Sequence, residues 1–464
     1  MSPAGQPEQP EQRASGLVPL GEATRAWFAI SLQTFGGPAG QIAVMQHALV
    51  DQKRWIGQKR FLHALSFCTL LPGPEAQQLA IYIGWLLNGV LGGLIAGILF
   101  VLPGVVALLV LSALYVSAGD TAIVTTVLAG VAPAVLAIVA QAVVRVGGRA
   151  LGHPVLVALA VAAFVALSVF KTPFPLVIGV AAAVGWALGR WAPHTMREKG
   201  SPHEASDGPT PLIPDDQLHT EPPSRTHSLK VIGVGVVAWA IPVGLVVAVA
   251  GRGSIFSDMA LFFTGAALVT FGGAYAVLSY VAQQAVQVYG WLTPSEMITG
   301  LALAETTPGP LIMVVQFVAF VGAYNDPGSL DPWVAAVLAS LLTTWVTFVP
   351  CFVFVFVGAP YVERLRGNHA LSAALTGIMA AVVGVIANLA IYFAIHTLFR
   401  DVSSVTWGPV DLQLPELGSL KPLSLAVTVF ASLLLFRARW SVLRTLGACA
   451  MIGLAAGLVE LLAT

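Results

Sequence analysis

Charge is scarce in this sequence. Only 9% of its 464 residues are Asp, Glu, Lys or Arg, while 57% are hydrophobic; a soluble domain carries roughly 25% charged residues. Most of the surface therefore cannot face water. Lys+Arg and Asp+Glu balance at 22 each, so no net charge points to nucleic acid. Cysteine is nearly absent as well. Cys68, Cys351 and Cys449 stand far apart without a CxxC pair, which argues against a disulfide scaffold or a thiolate metal site. The first 24 residues are rich in Glu, Gln and Pro and lack the basic-then-apolar order of a cleaved signal peptide. They read as a disordered tail. No GxxxxGKS/T phosphate loop, HExxH, GxSxG or cluster of metal ligands occurs. An enzyme reading has no residues to stand on, and no cofactor or metal is expected.

Long apolar runs separated by short polar joints fill the rest. Nine of them approach the roughly 20 residues a bilayer requires: 90–116, 122–145, 153–170, 174–190, 231–250, 333–358, 371–398, 421–436 and 441–462. Between 193 and 228 the texture turns to Pro, Asp, Glu, His and Ser, a solvated linker at a domain boundary. The expected organisation is an all-α integral membrane protein: a tail over 1–24, a first membrane repeat over 25–192, a cytoplasmic linker over 193–228, and a second membrane repeat over 229–464.

Four further apolar segments are interrupted. Ala26–Phe35 and Gln41–Val50 flank Gly36-Gly37-Pro38, and Phe61–Leu71 and Ala76–Leu87 flank Pro72-Gly73-Pro74. In the second half Met259–Phe271 breaks at Gly272-Gly273, and Met297–Thr307 at Pro308-Gly309-Pro310. Each arm spans about 15–20 Å, half of a ~30 Å hydrocarbon core. A Pro-Gly-Pro removes backbone donors and interrupts the helical ladder. Within lipid such a break must be buried in protein or line a watery cavity.

Sliding the chain by 236 residues lays 34–74 on 270–310 without a gap, and ten of 41 positions match. Thr34-Phe35-Gly36-Gly37 falls on Thr270-Phe271-Gly272-Gly273, Trp55 on Trp291, and Pro72-Gly73-Pro74 on Pro308-Gly309-Pro310. Chance similarity between apolar helices would match Leu, Val and Ala instead, so the chain carries an internal repeat. The joint between the first two broken segments holds Lys53, Arg54, Lys59 and Arg60, whereas its counterpart, 287–296, holds no Lys or Arg. Basic residues near spans stay cytoplasmic, so the repeats are expected to be inverted. Two topologies were weighed. Thirteen full spans divide the basic residues poorly. Nine spans with four re-entrant hairpins put 18 of the 22 inside, leaving Lys171, Arg252, Arg400 and Lys421 outside, and this arrangement is favoured. The odd span at 231–250 inverts the second half.

Inverted repeats with discontinuous helices are an arrangement of secondary transporters, with substrate near the midplane. A half-helix N-terminus presents unpaired N–H groups and about half a positive charge, a ready site for an oxyanion. Gly36, Gly37, Gly73, Gly272, Gly273 and Gly309 allow close backbone approach, with Pro74 and Pro310 beginning the following arms. Gln41, Gln77, Gln78, Tyr275, Thr306, Thr307 and Gln316 supply neutral donors. One break alone would read as a bend for packing; four in two symmetry-related pairs read as a site.

Glu75 and Glu305 are the acids nearest the breaks, and intramembrane acids suggest a functional role such as carrying a coupling proton. Glu75 has a competing explanation, since an acid in a first turn complements the helix dipole. Lys53, Arg54, Lys59 and Arg60 are either a cytoplasmic anion funnel or plain determinants of topology. His47 and His63 read as hydrogen-bonded packing residues. Gly89, Gly93 and Gly97 read as a GxxxG packing face, and Gln141 and Asn388 as interhelical glue.

The run Phe35-Gly-Gly-Pro-Ala-Gly-Gln41, the run Leu71-Pro-Gly-Pro-Glu-Ala-Gln-Gln78 with Tyr82-Ile-Gly84, Phe271-Gly-Gly-Ala-Tyr275 and Thr307-Pro-Gly-Pro310 resemble the chromate ion transporter family in its long, two-domain form. The resemblance runs from about Arg25 to the last span and spares tail and linker. It implies a multi-pass protein of the bacterial inner membrane that exports chromate and confers chromate resistance, with sulfate as a structural mimic. One departure is that Pro308 to Gly322 holds two residues more than Pro72 to Gly84, so the two pockets are not expected to be equivalent. Each charge crossing 100 mV is worth about 2.3 kcal/mol. A dianion leaving a negative-inside cell thus gains about 4.6 kcal/mol, enough for a roughly thousandfold gradient without a coupling ion. A sulfate or general oxyanion carrier, a non-transporting membrane scaffold and, less favoured, a cation/proton antiporter are the alternatives. A homodimer stays open as the assembly.

Overall fold

The computed structural model describes residues 17–119, 121–192, 211–213, 224–271, 273–362, 368–407 and 410–463. Most of the expected tail and linker lies outside the described residues. Those described form sixteen α-helices and one two-stranded hairpin. In the first half they are α1 (Leu20–Ser31), α2 (Gly37–Gln46), α3 (Gln58–Cys68), α4 (Glu75–Ala118), α5 (Ala122–Ala150), α6 (Pro154–Ser168) and α7 (Phe174–Trp191), with α8 (Arg225–Ala250) leading into the second. The second half comprises α9 (Ile255–Leu268), α10 (Ala274–Gln283), α11 (Pro294–Thr306), α12 (Val314–Asn325), α13 (Pro332–Gly358), α14 (His369–Leu398), α15 (Pro422–Ser432) and α16 (Val442–Ala463).

Among the described residues, seven helices are long and apolar enough to cross a membrane: α4, α5, α7, α8, α13, α14 and α16. The chain is an all-α, multi-pass membrane protein. Two of the nine expected spans are not among these seven helices. The run at 153–170 yields Pro154–Ser168, and that at 421–436 yields Pro422–Arg437, each about 22–24 Å. Proline opens both helices; Lys171 and Pro173 bound the first, and Arg437 and Arg439 the second. Between α14 and α15 an unforeseen antiparallel hairpin pairs β1 (Val402–Trp407) with β2 (Val410–Pro415), in register from Val402↔Pro415 to Trp407↔Val410.

Whether the broken segments cross or turn back follows from which ends meet. The Leu17 amide donates to Leu87 O at 2.9 Å, and Asn88 Nδ2 to Val18 O at 2.6 Å. Lys53 Nζ lies 3.3 Å from Glu22 Oε1. The start of α1, the joint after α2 and the end of the 75–87 arm therefore share one face. Crossing segments would hold them apart by the ~30 Å core, so both are re-entrant hairpins. In the second half a Cβ on Gly322 would sit 2.9 Å from Met259 Cε and 3.1 Å from Trp291 Cβ. The start of α9, the second joint and the end of α12 likewise share a face.

Helix α8, about 39 Å long, runs from one face to the other. Leu212 and Ile213 bond to the first joint, with the Ile213 amide donating to Trp55 O at 3.0 Å and the Gly57 amide to Ile213 O at 3.1 Å. Near the start of α8, Ser228 Oγ lies 3.5 Å from Tyr361 Oη, and Val362 packs in the cluster that holds Trp55 and Ile213. Its far end gives onto α9. The equivalent joints thus lie at opposite ends of α8.

The halves meet around a pseudo-two-fold axis. Helix α5 packs on α16, where a Cβ on Gly130 would reach Gly453 N at 2.9 Å. The equivalent α14 packs on α7, where a Cβ on Gly377 would reach Gly185 Cα at 2.7 Å. Small residues bring the backbones together, the usual driving force for helix association in lipid. Three arms end alike, in π turns at His47–Gln52, Gln284–Val288 and Leu433–Arg437. Each is followed by a positive-φ residue (Arg54, Gly290, Arg439) and then Trp55, Trp291 or Trp440. The GxxxG reading needs one correction. Gly93 and Gly97 pack on Phe356 and Phe352, but Gly89 has φ 61° and, with Asn88, forms the turn that folds the 75–87 arm back on the rest of α4.

Candidate functional site

The two Pro-Gly-Pro turns are completed by residues of the opposite half. The Gly73 amide donates to Thr270 O at 2.7 Å, and the Gly309 amide to Thr34 O at 3.0 Å. These are the same bond written twice, because 34 and 73 become 270 and 309 on adding 236. Such reciprocity is the signature of a two-fold contact. Gly73 and Gly309 reach φ 125° and 102°, and Gly36, Gly37 and Gly273 have φ 77°, 76° and 95°. Gly272 lies outside the described residues.

Four helix starts converge on these turns, and none has a side-chain cap: α2 after Gly36, α4 after Pro74, α10 after Gly273, and the 3₁₀ turn Leu311–Met313 after Pro310. Elsewhere α6, α8, α9, α11, α13 and α14 are capped by His153, Ser224, Ser254, Thr293, Asp331 and Asn368, while α1, α3, α5, α7, α12 and α15 also lack a side-chain cap, so it is the meeting of the four starts at the turns that sets them apart. Uncapped N-termini leave amide donors and partial positive charge for a ligand.

The predicted polar side chains divide into three groups. Gln41 is buried and donates to Gly309 O at 2.5 Å, tying the first break to the second. The Tyr275 hydroxyl donates to Glu305 Oε1 at 2.5 Å, and a Cβ on Gly37 would lie 3.9 Å from that hydroxyl. Glu305 is 1% exposed and its Oε2 has no partner among the described residues. The first-half break thus faces the second-half acid. Gln77 is fully buried with neither amide atom partnered. Gln78 donates to Pro72 O at 2.6 Å and leaves Oε1 unpartnered. Thr306 and Thr307 instead turn back onto Leu303 O and Ala304 O. Gln316 is held by Val105 O and Thr344. Glu75 opens α4 and is mostly buried.

The basic group of the first joint is not at the breaks. Lys53 pairs with Glu22 and stacks over Trp55, 4.6 Å from the ring centroid, and Arg60 is buried in α3. His47 is an exposed partner of Asp51 and Gln52. Asp258 is in the first turn of α9. Sequence reasoning did not single out three residues of this neighbourhood. Arg145 and Arg149 lie one turn apart at exposed positions of α5, the first in the neighbourhood of Tyr275 and Glu305 and the second in that of Glu75. Cys351 on α13 meets the first Pro-Gly-Pro, its Sγ 2.9 Å from where a Gly73 Cβ would be. The i, i+4 spacing of the arginines was the available signal.

A cavity of about 640 Å³ sits between the halves toward the second joint, lined by Glu296, Thr299, Asn325, His396 and Lys421 among others. Thr299 is under two turns from Glu305 along α11. Gly73 and Gly309 are buried rather than opening on this cavity.

The family described as chromate transporter matches residues 21–186 and 257–454, one stretch in each half. A chromate transport protein of Pseudomonas aeruginosa is 31% identical over 381 residues, 81% of each chain. One of Cupriavidus metallidurans is 26% identical over 84% of this chain and 87% of its own. A probable chromate transport protein of Synechococcus elongatus is 26% identical over 89% and 94%. No solved structure matches the chain. With both halves matched and the paired breaks meeting at their interface, the chain belongs to the chromate transporter family.

Proposed function

We propose that this protein exports chromate across the bacterial inner membrane, holding the oxyanion near the midplane at the uncapped helix starts. The observation that carries the reading is the meeting of uncapped helix starts from both halves at the paired turns, with Gln77, in the first turn of α4, fully buried and both its amide atoms unpartnered among the described residues. Amide hydrogens and carboxamide donors suit an oxyanion. A cation would find partial positive charge. The names of the three relatives support chromate as cargo. The face bearing Lys53, Arg54, Lys59 and Arg60 is assigned to the cytoplasm on the positive-inside rule, with repeats over 25–192 and 229–464 and a cytoplasmic linker. Outward movement of a dianion is then driven by the membrane potential. Glu305, hydrogen-bonded to Tyr275, is the better placed carrier of a coupling proton.

The test is chromate uptake into everted membrane vesicles, with sulfate as competitor. Gln77→Leu and Gly309→Leu are expected to abolish uptake while the proteins accumulate normally in the membrane. Uptake at the wild-type rate in both would defeat the reading and favour a scaffold.

A further inference from the structure

Threonines within helices turn their hydroxyls onto the carbonyl one turn earlier. Thr264, Thr344, Thr376 and Thr428 do so here, at 2.6–2.9 Å. Thr343 and Thr347 on α13 do not. Their exposures are 0% and 2%, and neither Oγ1 has a partner among the described residues. A buried hydroxyl without a partner is costly, so this pair needs a reason.

Their position supplies one. Ser340, Thr343, Thr347 and Cys351 are spaced three and four residues apart and so form one straight stripe, about 16 Å long. Both ends of the stripe are fixed. The Ser340 hydroxyl donates to Gln316 O at 3.2 Å, on the helix that follows the second Pro-Gly-Pro. Cys351 abuts Gly73 of the first. The two idle hydroxyls therefore lie on the path between the breaks, at the same interface as Gln77.

Symmetry does not require them. Pro103 of α4 and Pro350 of α13 are equivalent, 247 residues apart, and both lie inside their helices. The same offset pairs Cys351 with Gly104, where a Cβ would sit 2.7 Å from Pro308 O. Each residue thus meets the opposite half's break. That offset puts Ala96 and Phe100 opposite Thr343 and Thr347. The packing role is filled by apolar residues in one half and by hydroxyls in the other.

We propose that Thr343 and Thr347 are oxyanion-binding residues, a hydroxyl wall on α13 that hydrogen-bonds a tetrahedral dianion passing between the two Pro-Gly-Pro turns. The proposal rests on the transport reading above and adds a specific pair of donors to it. It also makes the path unequal: both halves offer helix-start amides, and only the second adds this hydroxyl pair.

Valine is nearly isosteric with threonine and removes only the hydroxyl. Chromate uptake into everted vesicles is measured for Thr343→Val, Thr347→Val, the double variant and the matching Thr→Ser variants, with Thr376→Val as control and membrane abundance in parallel. Each valine is expected to raise KM about tenfold, the worth of a hydrogen bond to a charged group. Each serine, keeping its donor, should stay within about twofold of wild type, as should Thr376→Val. If the double variant fails to accumulate, the single variants decide on the same criterion. Valine variants with unchanged KM, while Gln77→Leu still abolishes uptake, overturn the hydroxyl wall and leave the transport reading standing. Serine variants as impaired as the valines also overturn it, since packing would then be the cause. No chromate uptake by the wild-type protein would remove the transport reading itself.

Discussion

Gly73 and Gly309 occupy equivalent places, yet replacing them by alanine should not be equivalent. Both have φ beyond +100°, a region that costs a residue with a Cβ about 1–3 kcal/mol. That part is common to the two sites. The difference lies in space. At Gly309 the nearest atom to a new Cβ is Gly104 Cα at 3.5 Å, an ordinary contact. At Gly73 the same methyl would lie 2.8 Å from Gln78 Nε2 and 2.9 Å from Cys351 Sγ. Gln78 can withdraw only by giving up its bond to Pro72 O, about 1 kcal/mol. Displacing the thiol adds an overpacking cost of about 1–3 kcal/mol. Gly73→Ala should therefore destabilise by about 2–4 kcal/mol more than Gly309→Ala. Thermal denaturation of the purified proteins in one detergent, run side by side, reads the difference. Cys351→Ala in the Gly73→Ala background should restore part of the loss, because it removes one of the two obstructing atoms. Equal melting temperatures for the two alanine variants, or no relief from Cys351→Ala, would refute the reasoning.

Two further outcomes follow from the geometry. Single cysteines at 53–57 and at 289–293, in a background lacking Cys68, Cys351 and Cys449, should label from opposite faces of the membrane; labelling of both from one face contradicts the inversion. If Glu305 carries a coupling proton, Glu305→Gln should make chromate flux insensitive to an imposed pH gradient while leaving its response to membrane potential intact. A pH response that survives the substitution removes Glu305 from that role.

The breaks were legible in the sequence because Pro-Gly-Pro and Gly-Gly are rare within apolar runs, and their recurrence after 236 residues could not come from composition. The hairpins were legible through Lys53, Arg54, Lys59 and Arg60, which the structure gathers on the face where α1 begins. Other features were masked by ambiguity. Gly89 satisfied a GxxxG spacing, so its role as a turn was hidden behind a packing motif. The helices at 154–168 and 422–437 read as spans because their runs are mostly apolar, with the prolines and basic residues that bound them at the edges. The alternation of Val410-Asp411-Leu412-Gln413-Leu414 is a period-2 signal, too short to stand out among long apolar helices. Thr343 and Thr347 were invisible for another reason. Most helical threonines bond to their own backbone, and no sequence pattern says which ones do not.

The paired bonds between Gly73 and Thr270 and between Gly309 and Thr34 have a consequence for how the molecule is built. Neither repeat can finish its own turn, so a repeat on its own would leave an orphaned amide in lipid and would have to borrow a carbonyl from a second copy. Fusing the two on one chain makes that loan intramolecular, at an effective concentration no free subunit reaches. It also binds the two turns into one mechanical unit, because a shift of either strains both bonds together.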